Sequence, residues 1–176
     1  KYPDFKAIIE KPIETVKKGT MVTRAAMEKK QEEKNHIETV EIPKNSRDIG
    51  AAIALGDLSE NAEYKYGKEM QERLNLQLGK LKKEIGDAVV FELKDLNLVK
   101  ISFGTKSTLL NTDTNETVVY TILGPWESNP DANIISYLSP LGESLCGFEV
   151  NDTIKFEIND KEYNYKVLKI EKSDLI

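Results

Sequence analysis

The chain has 176 residues, which is long enough for one large globular domain or two small ones. Its 31% charged and 39% hydrophobic residues are ordinary for a soluble protein. Its net charge of −5 argues against a protein that coats nucleic acid through bulk electrostatic attraction, although a local basic patch is compatible with it. The single cysteine, Cys146, excludes an internal disulfide and a cysteine zinc site and fits a reducing, cytoplasmic compartment, and no apolar run approaches the roughly 20 residues that a membrane span requires.

The first predicted elements are a charged N-terminal stretch and a long helix. We expect residues 1–19 to be an extension or the remnant of an upstream region. Residues 20–55 have a helical pattern whose apolar line is thin, which indicates a partner helix. Pro43 lacks a backbone N–H and disfavours helical geometry at the residue before it, so a kink or break is predicted there, with Asn45 or Ser46 able to restart the helix. The apolar line consists of Met21, Ala25, Ile37, Val40, Ile49 and Ile53.

The helix leads into a chain reversal that we call the tip segment, residues 56–61. Asp57 and Glu60 lie three positions apart, which places them on one face of the first turn of the following helix. Carboxylates suit Mg²⁺, but two of them fill only part of its octahedral shell, so other ligands must come from elsewhere. The same pair also fits a capping box, with Asp57 as N-cap, Glu60 at the third helical position and Gly56 closing the preceding helix. The local pattern leaves both interpretations open.

A second helix is predicted from the tip segment to about Ile85, closed by Gly86. Its apolar residues recur at the spacing of a coiled coil, so the two helices should pair antiparallel. At about 1.5 Å per residue it spans roughly 39 Å and should project as an arm. Glu63, near its start, is read as a solvated charge that favours the helix dipole. The apolar positions are Tyr66, Met70, Leu74, Leu78, Leu81 and Ile85.

After Gly86 the composition changes to short β-branched and aromatic runs separated by turn residues, which predicts an antiparallel sheet. Ser139, Pro140 and Gly147 fit the N-cap, first residue and end of one short helix, which makes this part a small α+β domain. The predicted strands cover residues 88–91, 107–111, 117–123, 133–138, 153–158 and 163–170. The predicted division is therefore an extension at 1–19, a coiled-coil hairpin at 20–86 and a sheet domain at 87–176.

With these elements in this order, the chain resembles the Gre family of bacterial transcript-cleavage factors, in particular its A-type member. The resemblance covers nearly everything from about Thr20 to Ile170. It is carried by Gly-Asp-Leu-Ser-Glu-Asn-Ala-Glu-Tyr at 56–64, Phe-Gly at 103–104, Asn-Ile-Ile-Ser at 133–136 and Ser-Pro-Leu-Gly at 139–142. A nine-residue motif in the correct order between two long helices is a specific signal.

The resemblance implies a concrete activity. Family members bind RNA polymerase and insert the coiled-coil arm through its secondary channel, where the polymerase hydrolyses the 3′ end of backtracked nascent RNA. In these terms Asp57 and Glu60 are the catalytic acids of the tip, and they hold Mg²⁺ only when inserted in the polymerase. The chain is then an accessory factor and not an enzyme alone, with no tightly bound cofactor and with Mg²⁺ shared with the polymerase active site. We expect a cytoplasmic monomer that does not bind membranes.

The resemblance also implies an FKBP-like fold for the C-terminal domain, which docks on the rim of the channel. Ser139 and Pro140 match the polymerase-contacting segment. Leu138 departs from the polar residue that is usual there, and it marks either a changed contact or a buried strand end. Family members carry a basic patch that faces the RNA, and the candidates for it are Lys44, Arg47, Lys65, Lys68 and Arg73.

Two other functions compete with transcript cleavage. One is an inhibitor that plugs the channel on the same scaffold, against which the retention of both tip acids argues. The other is prolyl isomerase activity by analogy with the C-terminal fold, for which the residues give little support. The single histidine, His36, rules out a catalytic triad or a two-histidine metal site built within this chain. Trp126 lies in a predicted loop and is expected to pack on the sheet edge.

Overall fold

The computed structural model describes residues 19–55, 61–158 and 160–176. They fall into two compact units, one formed by residues 25–88 and the other by the described residues up to Arg24 together with Val89–Ile176. The predicted N-terminal extension apart from Gly19, and the tip segment apart from Asn61, lie outside the described residues, so Asp57 and Glu60 do too.

The helical unit is an antiparallel pair, as predicted. One arm consists of α1 (Arg24–His36), a π-helical segment (Ile37–Glu41) and α2 (Ile42–Ala54), and the other arm is α3 (Ala62–Asp87). The antiparallel direction follows from contacts such as Lys30 with Glu84 near one end and Ala52 with Asn61 near the other. The apolar core of the pair consists of Ile37, Leu74 and Leu81, which are buried, with Ile42, Met70 and Leu78 packed against them.

The break predicted at Pro43 is a π-helical segment and not an interruption. In an α-helix the N–H of residue 43 would donate to the Thr39 carbonyl, and proline has no N–H. The chain widens just before this point, where the Ile42 N–H donates to the Ile37 carbonyl five residues back. The predicted restart at Asn45 or Ser46 is wrong, because Ser46 Oγ donates to the Ile42 carbonyl at 2.9 Å and Asn45 is buried between the helices.

Several predicted helix boundaries need correction. Asn61 is the N-cap of α3, so the helix begins at Ala62, and it continues through Gly86 to Asp87. Tyr66 is 64% exposed and does not belong to the core. The next residue, Gly67, is buried instead. Successive residues of a helix point about 100° apart, so Tyr66 and Gly67 face different directions. Val40 and Ile53, which we placed on the apolar line, are nearly half exposed.

The first predicted helix also begins too early. Thr20–Val22 form a strand, β1, that pairs with β2 (Ala88–Val90) in a two-stranded sheet. Val22 is fully buried and its carbonyl accepts a 2.9 Å hydrogen bond from the Phe91 N–H. Met21 is therefore a strand residue, and the helical unit starts at Ala25 rather than at residue 20.

The second unit is built on a five-stranded sheet with the order β5-β4-β3-β7-β6. Its pairs are antiparallel except that β4 and β5 run parallel. Asn133 adopts a left-handed conformation with φ of 55°, which explains why β5 begins one residue later than predicted. The elements are β3 (Thr105–Asn111), β4 (Thr117–Leu123), β5 (Ile134–Ser136), α4 (Pro140–Leu145), β6 (Thr153–Ile158) and β7 (Lys161–Lys172). The core consists of Ile101, Leu109, Ile122, Ile135, Leu145, Ile154, Tyr165 and Val167.

The fold is therefore α+β, with a helical hairpin followed by an antiparallel-rich sheet and a short helix, as predicted. No helix within the described ranges combines the length and the apolar character needed to cross a membrane.

Candidate functional site

The side chain of Asn61, the last residue of the tip segment, connects the two arms of the helical pair. Its backbone is extended, with φ of −76° and ψ of 100°, which is the geometry of an N-cap residue. Its Oδ1 accepts a 3.0 Å hydrogen bond from the Tyr64 N–H, and its Nδ2 donates a 2.8 Å bond to the carbonyl of Ala52 in α2. The capping box predicted on Asp57 and Glu60 is wrong, since Asn61 caps the helix.

A second close contact between α2 and α3 lies further from the tip segment. Asn45 is only 8% exposed, and its Nδ2 donates a 3.0 Å hydrogen bond to the carbonyl of Gly67. A Cβ added to Gly67 would lie 2.6 Å from Cγ1 of Ile49, so Ile49 would have to shift if residue 67 had a side chain. Sequence reasoning missed this contact, although Gly67, Leu74 and Leu81 are spaced seven residues apart and a glycine inside a helical pattern often marks close packing.

Towards α1, the two arms of the hairpin are connected by ion pairs. α1 has no buried residue. Lys30 Nζ lies 2.8 Å from Glu84 Oε2, and Lys82 Nζ lies 2.7 Å from Glu38 Oε1. The hydrogen bond from Lys82 lowers the pKa of the Glu38 carboxyl, burial opposes this shift, and Lys34 lowers the pKa further. The bridge between Lys82 and Glu38 therefore lies beside the core residues Leu81 and Ile37, and the bridge between Lys30 and Glu84 connects the arms beyond the apolar core.

The five predicted basic residues are all exposed, two of them on α2 and three on α3. Lys65 and Lys68 are three positions apart on α3 and are therefore neighbours on one face of the helix, whereas Arg73 is about 140° around the helix from Lys68. Lys68 Nζ lies 2.7 Å from Gln71 Oε1. An RNA contact through all five residues at once remains a prediction, and the pair Lys65 and Lys68 lies nearest to the tip segment in the sequence. Glu63 is exposed in the first turn of α3, where a negative charge favours the helix dipole.

The Ser139–Pro140 segment forms the start of α4, as predicted. Ser139 Oγ accepts a 3.1 Å hydrogen bond from the Gly142 N–H and donates a 2.7 Å bond to the Ser136 carbonyl. Pro140 follows as the first helical residue and is exposed. Leu138 is 51% exposed and lies beyond the last residue of β5, so it is not a buried strand end. A changed contact at this position remains a prediction.

Two further predicted features concern metal ligation and the lone cysteine. Among residues 19–55, 61–158 and 160–176 there is no group of three or more His, Cys, Asp or Glu side chains placed to hold a metal ion. Burial raises the pKa of the Cys146 thiol to about 12, and the Glu143 carboxylate adds to the shift. A thiol with such a pKa stays protonated and is a poor nucleophile at neutral pH.

Comparison with known proteins agrees with this architecture. Residues 20–90 match the family model described as the N-terminal part of a transcription elongation factor, and residues 96–172 match the model of the C-terminal part of GreA and GreB. The architecture and both matches define a transcription elongation factor. The chain belongs to the GreA/GreB family, as the resemblance predicted.

Two relatives of similar sequence are GreA proteins. The chain is 42% identical over 158 residues to transcription elongation factor GreA of Treponema pallidum (strain Nichols), covering 90% of this chain and 98% of that protein. It is 47% identical over 153 residues to GreA of Borreliella burgdorferi, covering 87% of this chain but only 17% of that much longer protein. Among solved structures, the Gfh1 protein of Thermus thermophilus is a distant likeness, with 18% identity, a TM-score of 0.40 and coverage of 87% of this chain and 99% of that one.

Proposed function

We propose that this chain binds RNA polymerase, inserts its helical hairpin through the secondary channel and stimulates the Mg²⁺-dependent cleavage of backtracked nascent RNA by the polymerase. Such cleavage creates a new RNA 3′ end in the active site and so releases arrested complexes. On this proposal the chain is an accessory factor, and the bond-breaking machinery is that of the polymerase.

The observation that carries the proposal is the place of the motif at 56–64. It connects two antiparallel helices whose ends are joined by the hydrogen bond from Asn61 to Ala52. A chain reversal at the end of such a pair is the part that can enter a narrow channel first. The family membership shown by the two model matches supports this use of the motif.

The donor chemistry of Asp57 and Glu60 fits the proposed role. Carboxylate oxygens are the preferred protein ligands of Mg²⁺, and two of them leave positions for acidic groups of the polymerase, RNA phosphate and water. A second Mg²⁺ in a phosphoryl-transfer site supplies charge stabilisation for an attacking or leaving oxygen. Asp57 and Glu60 would hold the ion, and the rest of the chain would deliver them.

The remaining predicted residues serve docking on this proposal. Ser139 and Pro140 contact the rim of the channel, next to the exposed Leu138. Lys65 and Lys68 lie nearest to the RNA among the basic candidates, where their charge attracts phosphate. The factor works as a monomer in the cytoplasm.

The proposal is tested by cleavage of the nascent RNA in a stalled, backtracked elongation complex at fixed Mg²⁺. We expect the parent chain to stimulate cleavage, and Asp57→Ala and Glu60→Ala to bind the polymerase with parent-like affinity but to stimulate little. Asp48→Ala and Glu69→Ala remove matched charges from exposed positions of α2 and α3 and should cleave like the parent.

Three results would contradict the proposal. Cleavage of RNA by the purified chain without polymerase would show an enzyme and not an accessory factor. A parent chain that binds the complex but blocks extension and cleavage would show a channel-plugging inhibitor. Equal stimulation by the parent and both tip variants would leave Asp57 and Glu60 without a catalytic role.

A further inference from the structure

We propose that Asn61 is a positioning residue for the tip acids, because its side chain fixes both ends of the connection that carries them. This inference rests on the proposed function, since it concerns how Asp57 and Glu60 are presented to the polymerase active site. Asn61 itself touches neither metal nor RNA in the proposal. Its role is to hold the end of α2 and the start of α3 at a constant separation.

The geometry assigns a separate partner to each end of the Asn61 amide. The oxygen caps α3 by accepting from the Tyr64 N–H at 3.0 Å, and the nitrogen donates to the Ala52 carbonyl in the last turn of α2 at 2.8 Å. The same Ala52 carbonyl also accepts from the Leu55 N–H at 3.3 Å. One side chain thus links the last residues before the acids to the first residues after them.

Fixing these ends matters because residues 56–60 are a short connection. A chain segment whose two ends are held has fewer accessible arrangements than one whose ends are free. Delivery of a metal ligand to another protein's active site is sensitive to position, and a displacement of about 1 Å can lower a rate about a hundredfold. A loosened connection would therefore reduce catalysis more than binding.

The contact between Asn45 and Gly67 allows this role to be separated from general stability. It joins α2 and α3 further from the tip segment, at 3.0 Å, and Ile49 packs beside it. The apolar core at Ile37, Leu74 and Leu81 lies further still along the helices. Loss of the Asn61 amide should therefore loosen the connection locally and leave the hairpin paired.

Two variants isolate the cross-helix bond from the helix cap. Asn61→Ser and Asn61→Asp both place a good N-cap acceptor at residue 61, and both lack the amide donor that reaches Ala52. They differ in charge, so an effect that they share reflects the lost donor. Asn75→Ser and Asn75→Asp make the same changes at an exposed position of α3 and serve as matched controls.

Cleavage is measured with the full chain over a range of factor concentrations on a backtracked complex. We expect both Asn61 variants to lower the maximal cleavage rate about tenfold or more, with the half-saturating concentration changed by less than about twofold. A merely structural defect would instead raise the half-saturating concentration or lower the thermal midpoint in proportion to the lost activity.

The spacing of the helix ends is measured in the free protein with spin labels on Ala54→Cys and Glu63→Cys, which are exposed positions on either side of the connection. All labelled proteins also carry Cys146→Ala, so that only the two introduced cysteines take the label. We expect a narrow distance distribution in the parent and in the Asn75 variants, and a broader one when Asn61→Ser or Asn61→Asp is added.

The outcomes separate the two proposals. If the parent stimulates no cleavage, the proposed function fails and the positioning role fails with it. If the parent cleaves and the Asn61 variants reach the same maximal rate, only the positioning role is overturned. Unchanged label distances in both variants would also overturn it. Lower maximal rates together with broader distances and unchanged half-saturation support it.

Discussion

The side-chain amide of Asn45 donates a 3.0 Å hydrogen bond to the main-chain carbonyl of Gly67, so a polar contact lies in the interior of the helical pair. Gly67 is closely approached by Ile49 of α2, since a Cβ on residue 67 would lie 2.6 Å from Ile49 Cγ1. A buried polar residue between paired helices commonly fixes their register, since any slip leaves it without a partner. Register decides which residues stand at the end of the hairpin.

We predict that Asn45→Asp destabilises the helical unit by about 1 to 3 kcal/mol at neutral pH, because a carboxylate would face the Gly67 carbonyl without a donor. The pKa of this buried carboxyl would be raised, so the penalty is present above that pKa and decreases on acidification, when a protonated carboxyl can donate. Urea midpoints at about pH 7 and about pH 4 measure it. Asn75→Asp, at an exposed position, is the control, and an equal loss in both variants would contradict the prediction.

Two glycines of α3 should respond to alanine with opposite signs. A Cβ on Gly67 would lie 2.6 Å from Ile49 Cγ1, whereas a Cβ on Gly79 would meet no atom within 4 Å. Gly79→Ala should stabilise by about 1 kcal/mol through helix propensity. Gly67→Ala should destabilise despite the same gain, because overpacking costs about 1 to 3 kcal/mol. The denaturant midpoints of the two variants and the parent measure both changes in stability. Adding Ile49→Ala to Gly67→Ala should recover part of the lost stability.

The helices of this chain are predictable because their apolar residues repeat along many turns. The seven-residue spacing back from Leu81 and Leu74 reaches Gly67, yet apolar periodicity alone favoured its neighbour Tyr66, since a glycine contributes no hydrophobic signal. The correct choice depends on the approach of Ile49 from the other helix, which is a contact between distant residues.

The short strand β1 was missed for a related reason. Three residues, Thr20–Val22, are too few to show strand periodicity, and their partner Ala88–Val90 lies at the far end of the helical pair in the sequence. The motif at 56–64 predicted the family without any geometry, and the two family matches confirm the family. Asn61 is part of that motif, but its bond to Ala52 depends on how α2 ends and could not be read from it.

Stability of the helical unit should depend on the ionisation of Glu38. Lys82 donates to this carboxylate and holds its pKa below the usual value of 4.5, with Lys34 adding to the effect against the opposing influence of burial. Because the folded pKa is lowered, the contribution is present above the unfolded pKa and is lost as the pH falls through the folded value. We expect Glu38→Gln to reduce the loss of stability between about pH 7 and about pH 4.

The measurement for Glu38 is the urea midpoint of the helical signal in circular dichroism at both pH values. Glu72→Gln, on the exposed surface of α3, removes a matched charge and should follow the parent. If Glu38→Gln and the parent lose stability equally on acidification, the contact with Lys82 contributes nothing to folding.

Ser139, at the start of α4, should contribute to the stability of the sheet unit and, on the proposed function, to polymerase binding. Ser139 Oγ accepts from the Gly142 N–H and donates to the Ser136 carbonyl, so Ser139→Ala removes both bonds and should destabilise the sheet unit by about 1 kcal/mol. Ser139→Thr keeps the hydroxyl and should remain close to the parent in stability.

On the proposed function, Ser139→Ala also weakens polymerase binding. It should raise the half-saturating concentration for cleavage, while the maximal rate set by Asp57 and Glu60 is unchanged. A lower maximal rate with unchanged half-saturation would instead place Ser139 in the chemistry and not in docking.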